Sequence, residues 1–206
     1  MLTKKQVSIF GACIGNIFKE YSYKEIKELS GEKSNNAFQQ AMKEFKRENL
    51  VLERNVGTSR LYTINIDHDG VYSYLSLVAP LKLPKQAYGD IRLLKNELDK
   101  YTPFYSLVVF GSYADQTYNK KSDLDIAVII KDYSDEKAIK VALNKVRNKA
   151  LLTLDTHIIP QEELLEMLTA DYENLGKEIA RKNLPMHNIN IFYKIIKKGI
   201  DHGFKY

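Results

Sequence analysis

The stretch Leu107–Ile130, L-V-V-F-G-S-Y-A-D-Q-T-Y-N-K-K-S-D-L-D-I-A-V-I-I, decides how the chain folds. Its opening, Leu107 to Phe110, is an unbroken apolar run that predicts a buried strand. Gly111-Ser112 follows at once, and the polar segment Tyr113 to Ser122 has room for one helical turn and a loop. Asp123 to Ile130 predicts a second strand that opens on two carboxylates. Strand side chains alternate between faces, so Asp123 and Asp125 point the same way while Leu124, Ile126 and Val128 face a core. Two neighbouring carboxylates repel each other and resist desolvation unless a cation sits between them. Asp-x-Asp at a strand start is therefore a candidate site for a hard divalent ion, Mg²⁺ foremost. Glycine lets the backbone approach a ligand, and the N–H groups opening the next turn favour an anion. The stretch thus joins a phosphate cradle to a metal holder.

These residues resemble the nucleotidyltransferase superfamily with the DNA polymerase beta-like fold. Its motif sets Gly-Ser ahead of Asp-x-Asp or Asp-x-Glu on the following strand. The longer pattern of the small prokaryotic members is G-S-x-A-x-G, a spacer, then S-D-x-D. Gly111, Ser112, Ala114, Ser122, Asp123 and Asp125 match it, and Gln116 stands where the pattern has its second glycine, the residue that ends the short helix. The resemblance implies a third carboxylate on the strand after the next helix, and Asp155 in Leu151–Ile159 is the acid in that place. It implies that Asp123, Asp125 and Asp155 are the catalytic and metal-binding residues, holding two Mg²⁺ ions. Gly111 and Ser112 would bind the beta and gamma phosphates of an NTP. The reaction implied is transfer of a nucleoside monophosphate to an acceptor hydroxyl, with release of pyrophosphate.

Residues around this motif add less. An Asp inside an apolar strand is costly without a partner, which a shared metal, a backbone amide or an arginine would supply. His157 falls on the face of Asp155, but Mg²⁺ takes oxygen donors, so it reads as an interior or rim histidine. Lys120 and Lys121 lie within reach of a triphosphate or on a solvated loop, and Tyr113 is placed to stack on a base.

The amino-terminal third has a different pattern. Residues 3–20 predict a helix, with Val7, Phe10, Ile14, Ile17 and Phe18 at helical spacing. Ser22 with Glu25 three residues on forms a capping box for a helix over Tyr23–Leu29. Ser34 caps a third helix, 35–49, with Ala37, Phe38, Ala41, Met42 and Phe45 inward. Two short strands, Leu50–Arg54 and Arg60–Ile64, flank the loop Asn55–Ser59. Helix, helix, turn, helix and hairpin is the order of a winged helix-turn-helix. The phrase E-N-L-V-L-E-R-N-V-G-T-S-R-L-Y resembles the recognition-helix-to-wing segment of small transcriptional regulators. That resemblance puts the third helix in a major groove, with Asn35, Asn36, Gln39, Gln40, Lys43, Lys46 and Arg47 outward and Arg54 and Arg60 at the wing. Residues 1–67 carry 11 Lys and Arg against 8 Asp and Glu, a net of only +3, so a protein-contacting winged helix stays open.

The whole reads as an α+β chain: a winged helix-turn-helix over 1–67, a linker over 68–83 marked by Pro80 and Pro84, and a nucleotidyltransferase domain over 84–206. Residues 70–79 have the pattern of a short helix, and another from Pro84 to Tyr101 carries Ile91, Leu94 and Leu98. Ser134 caps a helix to Lys149 with Ala138, Val141, Ala142 and Val146 inward. Helices from Gln161, after Asp171 and over Ile189–Lys205 follow. The last region is basic, with 6 Lys and Arg against 1 acid over residues 181–206.

At 206 residues, 44% hydrophobic and 28% charged, the composition is that of a soluble globular protein. No apolar run reaches membrane-span length, and no signal-peptide core opens the chain, so no membrane partner is expected. One cysteine, Cys13, excludes an intramolecular disulfide and fits a reducing cytoplasm. The net charge of +5 favours an anionic partner without naming it. Oligomers are compatible with everything above. Two readings stand: a Mg²⁺-dependent nucleotidyltransferase whose winged helix recruits nucleic acid, or a DNA-binding transcriptional regulator whose transferase fold senses nucleotide or is inactive.

Overall fold

The computed structural model describes residues 1–206 and divides into two compact units, Met1–Ala79 and Pro80–Tyr206. In the first unit the chain runs α1 (Lys4–Phe10), β1 (Tyr21–Ser22), α2 (Tyr23–Ser30), α3 (Asn35–Arg47), β2 (Val51–Val56), β3 (Ser59–Ile64) and α4 (Asp69–Val78). Ser22 caps α2 through the expected box, its hydroxyl accepting from Glu25 N–H while Glu25 accepts from Ser22 N–H. Ser34 caps α3, whose buried face is Phe38, Ala41, Met42 and Phe45. The first helix is shorter than its periodicity predicts. It stops at Phe10, and the next residue, Gly11, packs so closely on Val78 that any Cβ would collide. A 3₁₀ turn over Gly11–Cys13 then redirects the chain, and Ile14 and Ile17 are still buried. Cys13 is a core residue, and burial pushes its thiol up to about 12.

The hairpin is tighter than predicted: β2 and β3 pair through Val56–Ser59, leaving Gly57-Thr58 as the turn, with Gly57 at φ +58°. A short strand not expected from sequence, β1, pairs antiparallel with β3 and completes a sheet in the order β1-β3-β2. Two residues are too few for a period to register. Residues 69–78 lie in the segment set down as a linker, yet α4 buries Val71, Leu75 and Val78 in this unit's core.

The second unit runs α5 (Lys85–Leu98), β4 (Tyr105–Phe110), α6 (Gly111–Asp115), β5 (Leu124–Ile130), α7 (Glu136–Arg147), β6 (Leu154–Pro160), α8 (Gln161–Thr169), α9 (Leu175–Arg181), β7 (Asn183–His187) and α10 (Ile189–Asp201). Its mixed four-stranded sheet has the order β6-β5-β4-β7. β4 runs antiparallel to both β5 and β7, and β5 runs parallel to β6. The two central strands are covered on both faces, which is why they read as continuous apolar runs. Helices flank the sheet, as an α+β fold requires.

Several local expectations fail for identifiable reasons. β7 escapes the sequence reading because N-L-P-M-H carries a proline mid-strand. It is an edge strand, where a missing N–H is tolerated. Asp132, not Ser134, makes the cap after β5, its carboxylate accepting from Ser134 N–H, and α7 then buries Ile139, Ala142, Leu143 and Val146 while Val141 is exposed. Asn174, not Asp171, caps α9 by accepting from Lys177 N–H. β6 begins at Leu154 rather than Leu151, because buried Asp90 on α5 accepts from the amides of Leu151 (3.0 Å) and Leu152 (2.9 Å) and holds them out of the ladder.

Candidate active site

β4 delivers the chain to Gly111, whose φ of +62° puts it in the left-handed region. A second constraint acts there: a Cβ on residue 111 would run into the Asp125 carboxylate. Glycine is therefore required twice, for the turn and for the approach of a neighbouring strand's acid. α6 is one short turn. Its last carbonyl-bonded residue is Gln116, at φ +64°, with N–H donating to Ser112 O. The N–H groups of Thr117 (2.9 Å) and Tyr118 (3.2 Å) donate to the same carbonyl, so the loop is wound onto Ser112. Gln116 thus takes up the conformation a glycine would occupy in the sequence pattern, and the short helix still ends where expected.

Asp125 is the second residue of β5 and stands in register with Asp155 on the parallel neighbour β6. It is half-buried. Burial, then the carboxylates of Asp155, Glu178 and Asp123, push its pKa above the ordinary carboxylate range, against a smaller opposing pull from His157. Asp123 lies just before the strand and is exposed. Asp155 departs from the expectation of a costly interior acid. β6 is an edge strand, the Asp155 side chain is 55% exposed, and His157 Nε2 lies 3.4 Å from its Oδ2. The shared face of Asp155 and His157 follows the predicted alternation.

The carboxylates of Asp123, Asp155 and Glu178 thus act electrostatically on Asp125, from three elements. No three of the chain's His, Cys, Asp and Glu side chains are grouped so as to hold a metal ion by themselves.

Sequence reasoning missed Glu178 and Lys182, both from α9 and its end. Lys182 Nζ pairs with Asp115 Oδ2 at 3.0 Å, and the next residue, Asn183, stands opposite Phe110 in the sheet. A cation therefore sits beside the Gly-Ser turn. Only the unrecognised strand β7 brings it there, so no linear signal was available. Tyr113, expected to be exposed, is buried beneath Tyr118. Lys120 and Lys121 are exposed on the loop.

In the first unit, Asn35, Asn36, Gln39, Gln40, Lys43, Lys46 and Arg47 are exposed on α3, and Arg60 is exposed on β3. Acids answer much of this charge: Lys46 pairs with Glu53 at 2.5 Å, Arg60 lies 3.7 Å from the same carboxylate, and Arg47 pairs with Glu44.

The family model for the nucleotidyltransferase domain matches residues 91–196, just over half of the chain, and the chain belongs to that family. A search of curated proteins returns no match. The matched span holds the Gly-Ser turn, all three predicted carboxylates, Glu178 and Lys182. The domain implies an NTP as substrate. No helix is long and apolar enough to cross a membrane.

Proposed function

We propose that the chain is a Mg²⁺-dependent nucleotidyltransferase that moves a nucleoside monophosphate from an NTP to an acceptor hydroxyl. The observation that carries this reading is the register of Asp125 with Asp155, combined with the absence of a side chain at Gly111 that lets the Asp125 carboxylate lie against the turn. Asp123, Asp125 and Asp155 would hold the divalent ions, which when bound would neutralise triphosphate charge and favour the ionised acceptor. The backbone N–H groups of Gly111 and Ser112, with the Ser112 hydroxyl, orient the terminal phosphates. Lys182 adds positive charge beside that turn. The acceptor has room beside β6, where a cleft of about 510 Å³ is bordered by Lys140, Asn144, Arg147 and His157.

The same reading takes residues 1–67 as a winged helix that recruits nucleic acid through Asn35, Asn36, Gln39, Gln40, Lys43 and Arg60. Three helices followed by a tight hairpin, and the amide-rich exposed face of α3, support it. A second reading, a DNA-binding regulator that only senses nucleotide, draws on Gln116 held at φ +64° where glycine would be unstrained.

One experiment separates the two. Each NTP, with and without Mg²⁺, is scanned for thermal stabilisation, and pyrophosphate release is followed with candidate acceptors. An enzyme is stabilised by NTP only with Mg²⁺ and releases pyrophosphate when the acceptor is present. A sensor is stabilised and releases none. Absence of stabilisation by every NTP sinks both.

A further inference from the structure

The loop that joins the Gly-Ser turn to the Asp-x-Asp strand carries a feature the phosphate chemistry does not use. The rings of Tyr113 and Tyr118 stack with centroids 4.5 Å apart and planes 4° from parallel. Tyr113 is buried, and Tyr118 is 39% exposed above it. A ring whose inner face is covered by a second, buried ring is fixed in orientation, and its outer face is a ready platform for another planar ring.

The pair lines an open cleft of about 420 Å³ together with Pro84, Gln86, Asn119 and Lys120. The walls divide by chemistry. Pro84 and the tyrosines are flat or apolar. Gln86 and Lys120 are exposed and make no hydrogen bond or ion pair in the fold. The Asn119 side-chain oxygen accepts from Lys121 N–H, and its NH₂ is left to donate outward. An aromatic face flanked by two amides and an ammonium matches a heteroaromatic ring with donors and acceptors on its edge. A purely apolar ligand would leave those polar groups unpaired.

The position fits the same ligand. Tyr113 directly follows Ser112, and Tyr118 N–H donates to the Ser112 carbonyl at 3.2 Å, so the stacked pair is tied to the same short turn as the phosphate-binding residues. Asn119 and Lys120 lie on the loop that leads directly into Asp123, so the cleft borders the connection between the Gly-Ser turn and the Asp-x-Asp strand. We infer that this cleft is the nucleobase subsite: the base of the bound NTP stacks on Tyr118 and is read at its edge by Gln86, Asn119 and Lys120. This rests on the NTP-binding reading of the site.

The test is calorimetric titration of the full chain, with Mg²⁺, using the four common NTPs and inorganic tripolyphosphate. Tripolyphosphate carries the phosphate chemistry without a base. Tyr118→Ala weakens binding of the preferred NTP by roughly tenfold or more, the usual scale for losing a stacked base, and leaves tripolyphosphate binding unchanged. Tyr118→Phe keeps the ring and keeps wild-type affinity for both. Asn119→Ala narrows the preference among the four bases. NTP binding by Tyr118→Ala at wild-type strength overturns the subsite, as does an equal loss for NTP and tripolyphosphate. A wild-type chain that binds tripolyphosphate and NTP equally well overturns the subsite while sparing the phosphate site. A wild-type chain that binds neither overturns the parent reading as well.

Discussion

The two units handle charge in opposite ways. In Met1–Ala79, many of the surface cations are answered by acids. The Arg54 guanidinium forks onto Glu20 at 2.9 and 2.6 Å, Lys46 and Arg60 share Glu53, and Arg47 meets Glu44. In Pro80–Tyr206, Asp125 is surrounded instead by Asp155, Glu178 and Asp123, with His157 alone opposing them. Matched surface pairs in water stabilise little and say little about function. Like charges held together against their own repulsion weaken the fold, and a protein that keeps them needs something to come between them. The contrast locates the chemistry in the second unit without reference to any motif.

The largest effect that tests this contrast is at Asp125. Asp125→Asn should lower nucleotidyl transfer by roughly a thousandfold, since several kcal/mol of charge stabilisation depend on the carboxylate. The same variant should melt at a higher temperature at neutral pH. Burial and like charges raise the folded-state pKa of Asp125, so the folded chain holds that proton more tightly than the unfolded one. The resulting stability is present at acid pH and is lost as pH rises from the ordinary carboxylate value through the raised one. Asparagine removes the charge and with it the loss. Calorimetry across that window checks the sign. A lower melting temperature for the variant at neutral pH would mean that Asp125 serves the fold rather than a ligand.

Asp90 offers the opposite case within the same unit. It is a buried carboxylate with no cation beside it, satisfied by the amides of Leu151 and Leu152. Asp90→Ala removes the acceptor of two part-buried N–H groups and should cost about 1–3 kcal/mol in denaturant unfolding. It should also slow transfer, since the loop it holds leads into β6 and Asp155. A neutral result would show that solvent reaches those amides and that β6 is positioned by its ladder alone.

How much of this was legible in the sequence depends on the range of the interaction. Gly111, Ser112, Asp123 and Asp125 lie within one short stretch whose two strands are buried on both faces, so an apolar run and a local motif sufficed. The caps Ser22 and Ser34 were equally local. Asp155 was placed by the order of elements, but its exposure was not, because edge position is a property of the assembled sheet. Lys182, Glu178 and Asp90 act across strands and helices far apart in the chain. Their roles need β7 and α5 in place, and the proline inside β7 disguised that strand. The need for glycine just past α1 likewise comes from Val78, sixty-seven residues downstream of Gly11.

A smaller effect probes the first unit. Lys43 lies on the exposed face of α3 and has no acid partner, unlike Lys46 and Arg47. If α3 meets a nucleic-acid backbone, Lys43→Ala should reduce the slope of log affinity against log salt by about 0.9, one phosphate contact, without moving the melting temperature. The slope from mobility-shift titrations decides it. An unchanged slope would leave this face as a solvated surface and return the unit to protein contacts.

The smallest effect is the most informative about the departure from the family pattern. The chain has three non-glycine residues at positive φ: Asn49, Gln116 and Asn188. Asparagine tolerates that region, whereas glutamine gains no comparable local hydrogen bond there. Gln116→Gly relieves the strain but loosens the unfolded chain, so the net gain should be only about 0.5–1 kcal/mol. Turnover then carries the argument. If stability and pyrophosphate release rise together, Gln116 is a tolerated cost in a working enzyme. If stability rises while release falls, the strained turn holds Ser112 and Tyr118 in the geometry the nucleotide needs. If release is absent from both forms although NTP still stabilises both, the nucleotide-sensing reading gains over the enzyme.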